Sequence, residues 1–354
     1  MVPKLLPLDA EKPGEYINSL QKKLKAEVIG QDEEIDKIIR LIEAHILGYN
    51  DPNVPVGVVL ALGSTGVGKS FLVSKLAECL YENPKAFIQV NCADFKDSFQ
   101  TNRFIGAPPG YAGFKEKGIN HILSQDKLDS FHTDQIKLTI VLLDEIEKAN
   151  NSLYEYFLAI FNDGEGRVAG NVVSFSNTLF IMTSNLGATN VSRVKGFSET
   201  DPNKHLKDLT SSTMSAVKKH FSPEFINRID EICMFKPLSK EMIEKIFTIQ
   251  INKIRRRLIV NKKVQPLFTF YITNNAKTEL LKLGFDPDYG ARPLLRVLKK
   301  HVINKLASLT SSYQVDFGDV IVIDIEEKSF TYKKYDSSEL SLLTEEEWAD
   351  IQKK

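Results

Sequence analysis

Apolar residues recur at helical spacing through "YINSLQKKLKAEV" and again through "EEIDKIIRLIEAHIL", with Gly30 between them. Residues 16–48 are therefore expected as two helices. From residue 56 the period changes. "VGVVLAL" (56–62) is an unbroken apolar run rich in β-branched residues, followed by glycines and then by the helical stretch "KSFLVSKLAECL". Further short runs follow at "AFIQVN" (86–91), "KLTIVLLD" (137–144), "TLFIMTS" (178–184) and "EICMF" (231–235), with the helical "NSLYEYFLAIFN" after the third run. Strands apolar on both faces that alternate with helices predict a parallel sheet sandwiched by helices. "DGEGRVAGNVVSF" (163–175) reads as a hairpin inserted before the fourth run.

The texture changes at "FKPLS" (235–239), which places a domain boundary near Pro237. Residues 240–309 read as mostly helical, with the insert "LGFDPDYGARP" (283–293). "DVIVIDI" (319–325) and "SFTYKK" (329–334) read as a β pair. The predicted architecture is thus α/β. An N-terminal segment (1–25) precedes a large domain (26–236), which leads to a small, mostly helical C-terminal domain with a short β pair (237–334). An acidic tail (335–354) carries the only tryptophan, Trp348. No internal repeat or low-complexity segment interrupts this order.

Composition narrows the function classes. The 354 residues are 42% hydrophobic and 26% charged, which suits a folded chain with two domains. Lys+Arg and Asp+Glu both number 46, so no overall basic field points to nucleic acid or an anionic membrane. Cys79, Cys92 and Cys233 are far apart and form no CxxC, so a reduced, cytoplasmic setting is expected rather than a disulfide or zinc framework. "MVPKLLPLDAEKPGEY" has too short an apolar run for a secretory leader, and no run is long enough to span a membrane.

The chemistry begins at "GSTGVGKS" (63–70), which fits G-x-x-x-x-G-K-S. It follows an apolar strand and opens a helix, the context that separates a phosphate loop from a glycine turn. Gly63, Gly66 and Gly68 let the backbone curl, so that N–H groups of the Ser64, Thr65 and Val67 stretch can face phosphate oxygens. The helix from Lys69 offers its positive end to the same anion. Lys69 is expected at the β- and γ-phosphates of ATP and the Ser70 hydroxyl on Mg²⁺. "TIVLLDEIEKA" (139–149) ends a strand at Asp144, where open α/β sheets bind ligands; Asp144 would hold Mg²⁺ through water. Glu145 could polarise the attacking water as general base, or be a helix-start acid. Asn185 in "IMTSNLG" could orient that water or a γ-phosphate oxygen, or be the asparagine of a strand-to-loop turn. Arg228 in "SPEFINRIDEI" and Arg292 in "YGARPLL" are the cations available to the developing γ-phosphate charge; each alone reads equally as a surface or helix-end arginine.

Seven motifs in one order make the pattern specific: "VIGQDEEI", "GSTGVGKS", "FIGAPPGYAGF", "VLLDEIEKA", "IMTSNLGA", "FSPEFINRIDEI" and "YGARPL". The chain resembles the Clp family of AAA+ protein unfoldases, in particular the second ATPase module of ClpB, ClpC and ClpA, over roughly residues 20–334. The resemblance implies a P-loop AAA+ large domain followed by a small sensor-2 domain. It implies that Val28 and Ile29 line the adenine pocket, and that Lys69, Ser70 and Asp144 hold the phosphates and Mg²⁺ with Glu145 as base. Asn185 resembles the sensor-1 residue. Arg228 resembles the arginine finger that reaches a neighbouring subunit's nucleotide, and Arg292 the sensor-2 arginine. A finger acting in trans implies a ring, here a homo-hexamer. Set beside that resemblance, the chain is expected to carry one ATPase module, without the family's N-terminal domain or coiled-coil middle domain.

"GAPPGYAGFKEKG" (106–118) sets an aromatic ring between glycines, poor material for a core. The resemblance makes Gly110, Tyr111, Ala112 and Gly113 a pore loop whose ring grips an unfolded or aggregated polypeptide without reading its sequence. The family usually has valine where Ala112 stands. In "VSRVKGFSETDPNKHLKDL" (191–209), Gly196-Phe197 matches two of three positions of the loop that docks the ClpP peptidase in ClpA and ClpC; Lys195 stands where an apolar residue is expected, and the alternative is a solvated surface loop. The expected function is ATP-driven unfolding or disaggregation of proteins. The same-class alternative is the ATPase subunit of a ClpP protease. Another class is an ATP-dependent switch, scaffold or nucleic-acid remodeller, against which stands the lack of any basic stretch with interleaved aromatics.

Overall fold

The computed structural model describes residues 13–97, 100–101, 122–168, 170–187, 202–260, 268–327 and 329–335. The chain divides into two compact units. One is formed by residues up to Ser64 and by Gly68–Lys236, the other by Thr65–Val67 and by residues from Pro237 on.

In the first unit the helical spacing becomes two buried stripes. α1 (Glu15–Glu27) buries Ile17, Leu20 and Leu24, and α2 (Asp32–Ile46) buries Ile35, Ile38, Ile39 and Ile42. The sequence reading ended a separate N-terminal segment at residue 25, whereas α1 runs across that position as one helix of the first unit. Five strands alternate with helices along the chain. β1 (Gly57–Leu62) leads into α3 (Lys69–Tyr81), then come β2 (Ile88–Asn91), α4 (Gln125–Asp129), β3 (Thr139–Asp144) and α5 (Asn151–Asp163). A hairpin of β4 (Glu165–Val168) and β5 (Asn171–Ser174) follows, and then β6 (Thr178–Ser184), α6 (Pro202–His220), α7 (Pro223–Ile226) and β7 (Glu231–Met234). The main sheet has the order β2-β3-β6-β1-β7, and every neighbouring pair is parallel.

β1 and β6 are buried along their whole length, which explains their unbroken apolar sequences. α5 shows how one covering layer is held. Asn150 caps it by accepting the Leu153 N–H at 3.0 Å. Its inner face is Leu153, Phe157, Ile160 and Phe161, and Phe180 on β6 meets the Phe157 and Phe161 rings at centroid distances of 6.0 and 5.1 Å. It stops at Gly164, where φ is +62° and an added Cβ would lie 2.3 Å from Asn53 O, so only glycine fits.

The second unit is built around α8 (Lys240–Val260), β8 (Thr269–Ile272), α9 (Asn274–Gly284), α10 (Arg292–Leu298), α11 (Asn304–Ser311), β9 (Val320–Glu326) and β10 (Ser329–Tyr335). Its core gathers Ile243, Phe247, Phe270, Leu280, Leu294, Val302 and Ile323. The expected β pair is a three-stranded sheet of order β10-β9-β8. "TFYI" was hidden in a stretch read as helical because four residues carry too little periodicity. It becomes a strand by pairing parallel to β9, with further bonds from Thr269 N–H to Asp319 O at 3.1 Å and from Thr273 N–H to Ile323 O at 3.0 Å.

Candidate active site

Leu62 of β1 stands opposite Ser184 of β6, Leu143 of β3 opposite Met182, and Asn91 of β2 opposite Asp144. Four parallel strands thus end together, and every predicted polar residue that follows a strand emerges along one sheet edge. β1 turns at once into the loop Gly63–Ser70. Gly66 and Gly68 take φ of +82° and +112°, conformations that a side chain disfavours. Gly68 gives α3 no side-chain cap, so no side chain competes with an anion at the positive end of this helix. An added Cβ at Gly68 would lie 3.8 Å from Val28 Cγ1, which sets the buried Val28 beside the loop; Ile29 next to it is half-buried.

Lys69 is only 8% exposed, yet its ammonium is satisfied. Nζ donates to Gly63 O at 2.6 Å, to Ser64 O at 2.9 Å and to Asn185 Oδ1 at 2.9 Å. Asp144 is held from three sides. Ser70 Oγ donates to its Oδ1 at 3.4 Å, Thr183 Oγ1 donates to the same oxygen, and Gln89 Nε2 donates to Oδ2 at 3.3 Å. Glu145 sits in the left-handed region at φ +55°, uncommon for a residue with a Cβ. Its N–H donates to Thr183 Oγ1 at 3.1 Å, and its half-exposed carboxylate pairs with Lys148 Nζ at 2.5 Å. That bond holds the Lys148 ammonium above the usual lysine range. Glu147 Oε1 accepts the Asn185 N–H at 3.3 Å, while its Oε2 is buried without a hydrogen-bond partner. Burial, and then the nearby Asp144 and Glu147 carboxylates, push the Cys92 thiol up.

Sequence reasoning thus named Lys69, Ser70, Asp144 and Asn185, and the fold joins them as two hydrogen-bonded pairs, Lys69 with Asn185 and Ser70 with Asp144, along one sheet edge. It did not name Gln89, Thr183, Glu147 or Lys148. Gln89 lies on the exposed side of β2, where burial alternates, so the sequence carried no signal that singled it out. Arg228 lies on the exposed turn after α7, with its N–H on Phe225 O at 3.2 Å, and no described hydrogen bond joins it to either pair. Arg292 opens α10 in the second unit and is exposed. Gly110, Tyr111, Ala112, Gly113, Gly196 and Phe197 lie outside the described residues, as do residues 336–354.

The donor set fits magnesium. Ser70 Oγ and Asp144 Oδ1 are two hard oxygens 3.4 Å apart, and no group of three or more His, Cys, Asp or Glu side chains could hold a metal among the described residues. One carboxylate and one hydroxyl, completed by phosphate oxygens and water, match the way Mg²⁺ is usually bound in nucleotide sites.

A family model described as "AAA domain (Cdc48 subfamily)" matches residues 54–232, and one described as "C-terminal, D2-small domain, of ClpB protein" matches residues 238–323. The chain belongs to the Clp family of AAA+ ATPases. This Clp chain is 34% identical over 317 residues to "Probable chaperone protein ClpB 1" of Chlorobaculum tepidum, covering 89% of itself and 69% of that relative. It is 35% identical over 321 residues to "Negative regulator of genetic competence ClpC/MecB" of Bacillus subtilis, covering 89% of itself but 38% of that relative. Among solved structures, the Saccharomyces cerevisiae Hsp104:casein complex in its extended conformation superposes with a TM-score of 0.75 at 28% identity, over 92% of this chain and 53% of Hsp104. Hsp104 reconstructed in a closed state with ATPγS and FITC casein gives 0.73 at 28% identity, over 90% and 52%. The chain therefore spans only part of the length of these relatives. Among the described residues no helix is long and apolar enough to cross a membrane.

Proposed function

We propose that this chain binds ATP at the Lys69–Asn185 and Ser70–Asp144 pairs, hydrolyses it, and uses the cycle to unfold or disaggregate polypeptides threaded through a homo-hexameric ring. The observation that carries the reading is two hydrogen-bonded pairs, Lys69–Asn185 and Ser70–Asp144, drawn from three strand ends to the edge where an α/β sheet binds ligands. The phosphate chain replaces the carbonyl oxygens around Lys69 Nζ and lies at the positive end of α3. Ser70 and Asp144 would hold Mg²⁺, which would supply charge neutralisation to the phosphates. Glu145 leaves Lys148, accepts a proton from the attacking water, and Asn185 orients that water. Arg228 reaches the nucleotide of the next subunit, and Arg292 reads the nucleotide state for the second unit. Val28 and Ile29 face the adenine.

Tyr111 between Gly110, Ala112 and Gly113 is the gripping residue, which fits a substrate bound by shape and apolar contact rather than by sequence. The casein in the similar Hsp104 structures supports a polypeptide as substrate. A second reading, the ATPase subunit of a ClpP-type protease docking through Gly196-Phe197, draws on the similarity to "ATP-dependent Clp protease ATP-binding subunit ClpC" of Staphylococcus aureus, 32% identical over 328 residues. We place the chain in the cytoplasm, consistent with its three free thiols.

The test compares two variants of the full chain. Glu145→Gln is expected to bind ATP and lose turnover, and to retain captured polypeptide. Tyr111→Ala is expected to hydrolyse ATP and fail to unfold a tagged substrate. Full turnover by the first variant removes Glu145 as base, and unfolding by the second removes Tyr111 as the grip. Co-elution with a ClpP peptidase, lost in Phe197→Ala, would favour the protease reading.

A further inference from the structure

After the apolar run Leu179–Met182, β6 ends on two buried hydroxyl residues, Thr183 and Ser184. Thr183 is 1% exposed, follows the fully buried Met182, and lies opposite Ala61 of β1. A threonine hydroxyl has one proton to give and two lone pairs to receive. Here the proton goes to Asp144 Oδ1, and a lone pair takes the Glu145 N–H at 3.1 Å. Both bonds are fixed in direction, and they reach two consecutive residues of another strand end. The first contact acts on a carboxylate that also accepts from Ser70 and Gln89. The second acts on the backbone N–H of a residue held in the left-handed region at φ +55°.

We infer that Thr183 is a positioning residue for hydrolysis, one buried hydroxyl that sets the Asp144 carboxylate and the Glu145 backbone together. The inference rests on the proposed roles of Asp144 and Glu145. Asp144 cannot rotate about its side chain without losing the Thr183 proton. The Thr183 acceptor fixes the Asp144–Glu145 peptide plane, from which Glu145 turns into the left-handed region. The base is therefore presented at a fixed offset from the carboxylate on the metal side. Valine has nearly the shape of threonine and keeps the packing against Ala61, but supplies neither bond.

The experiment measures steady-state ATP turnover, affinity for a fluorescent ADP and thermal midpoint for the full-length wild type, Thr183→Val, Thr183→Ser and Glu145→Gln. Small displacements of catalytic groups can cost on the order of a hundredfold in rate. Thr183→Val is expected to lose roughly ten- to a hundredfold in kcat, with ADP affinity within about threefold of wild type, and Thr183→Ser is expected to recover most of the loss. A merely structural threonine would lower the midpoint and ADP affinity together, with no split between kcat and binding. If Thr183→Val turns over within about threefold of wild type, or if serine is as impaired as valine, the inference is wrong. Should the valine variant not fold, Thr183→Ala against Thr183→Ser decides: alanine at least about tenfold slower supports it, and equal rates overturn it. Glu145→Gln separates the two layers. Full turnover there refutes the assignment of the base, whereas loss there with a fast Thr183→Val refutes only the role of Thr183.

Discussion

Removing the Asn185 carboxamide tests the Lys69–Asn185 pair in its simplest term. The Lys69 ammonium has three donors and meets three oxygens, two of them backbone carbonyls and the third Asn185 Oδ1 at 2.9 Å. Asn185→Ala leaves a nearly buried charge with one fewer acceptor. A hydrogen bond to a charged group contributes about 1.5–3 kcal/mol. Asn185 is itself half-buried, so water can enter the space it leaves, and the low end of about 1.5 kcal/mol is expected for the nucleotide-free chain. At about 2–4 °C per kcal/mol for a domain of this size, the midpoint falls by about 3–6 °C. ADP then supplies the missing acceptor through its β-phosphate. Scanning fluorimetry with and without saturating ADP should therefore show a larger ADP-induced rise in the variant than in the wild type, closing most of the gap. An unchanged midpoint without nucleotide, or a deficit that persists at saturating ADP, would refute the idea that Asn185 and the nucleotide share one ammonium.

Phe157→Ala should cost about 3–5 kcal/mol, read as a lower denaturant midpoint, because the ring is fully buried against Phe161 and Phe180. Burial lowers the proton affinity of His132, whose Nε2 lies 3.2 Å from Thr139 Oγ1; Asp129 opposes the shift, while Lys137 and His45 add to it. The unfolded chain protonates first as pH falls below about 6.5, so this stability is complete above that pH and declines through the window beneath it. His132→Gln should flatten the fall in thermal midpoint between about pH 6.5 and 5.5, and an identical slope would contradict the assignment.

The large unit was legible because its strands are buried on both faces. "VGVVLAL" and "TLFIMTS" have no polar side to confuse with a helix, and their strand ends fixed where Lys69, Asp144 and Asn185 had to meet. β8 was not legible, because "TFYI" exposes Thr269 and buries Phe270 and Ile272 only once β9 lies beside it. The partners of Asp144 were hidden for a different reason. Composition and period say that residue 183 lies in a strand, but not that its hydroxyl turns toward β3 and answers two residues there. Nothing in the sequence singles out Glu147 and Lys148, and only the turn after β3 brings one to the Asn185 backbone and the other to Glu145.

The strand order has a consequence for how the chain is made. β1 carries the phosphate loop, yet neither of its neighbours is close to it in sequence: Gly57 pairs with Leu179, and Val59 with Glu231. On the ribosome, β2 and β3 can meet while synthesis continues, because Ile88 needs only Val141. β1 must wait, with six apolar backbone positions unpaired, until nearly all of the first unit has emerged. Such late, non-local pairing folds slowly and leaves strand edges open to other chains. During its own synthesis, then, this proposed rescuer of aggregated proteins passes through a state that is itself a candidate client.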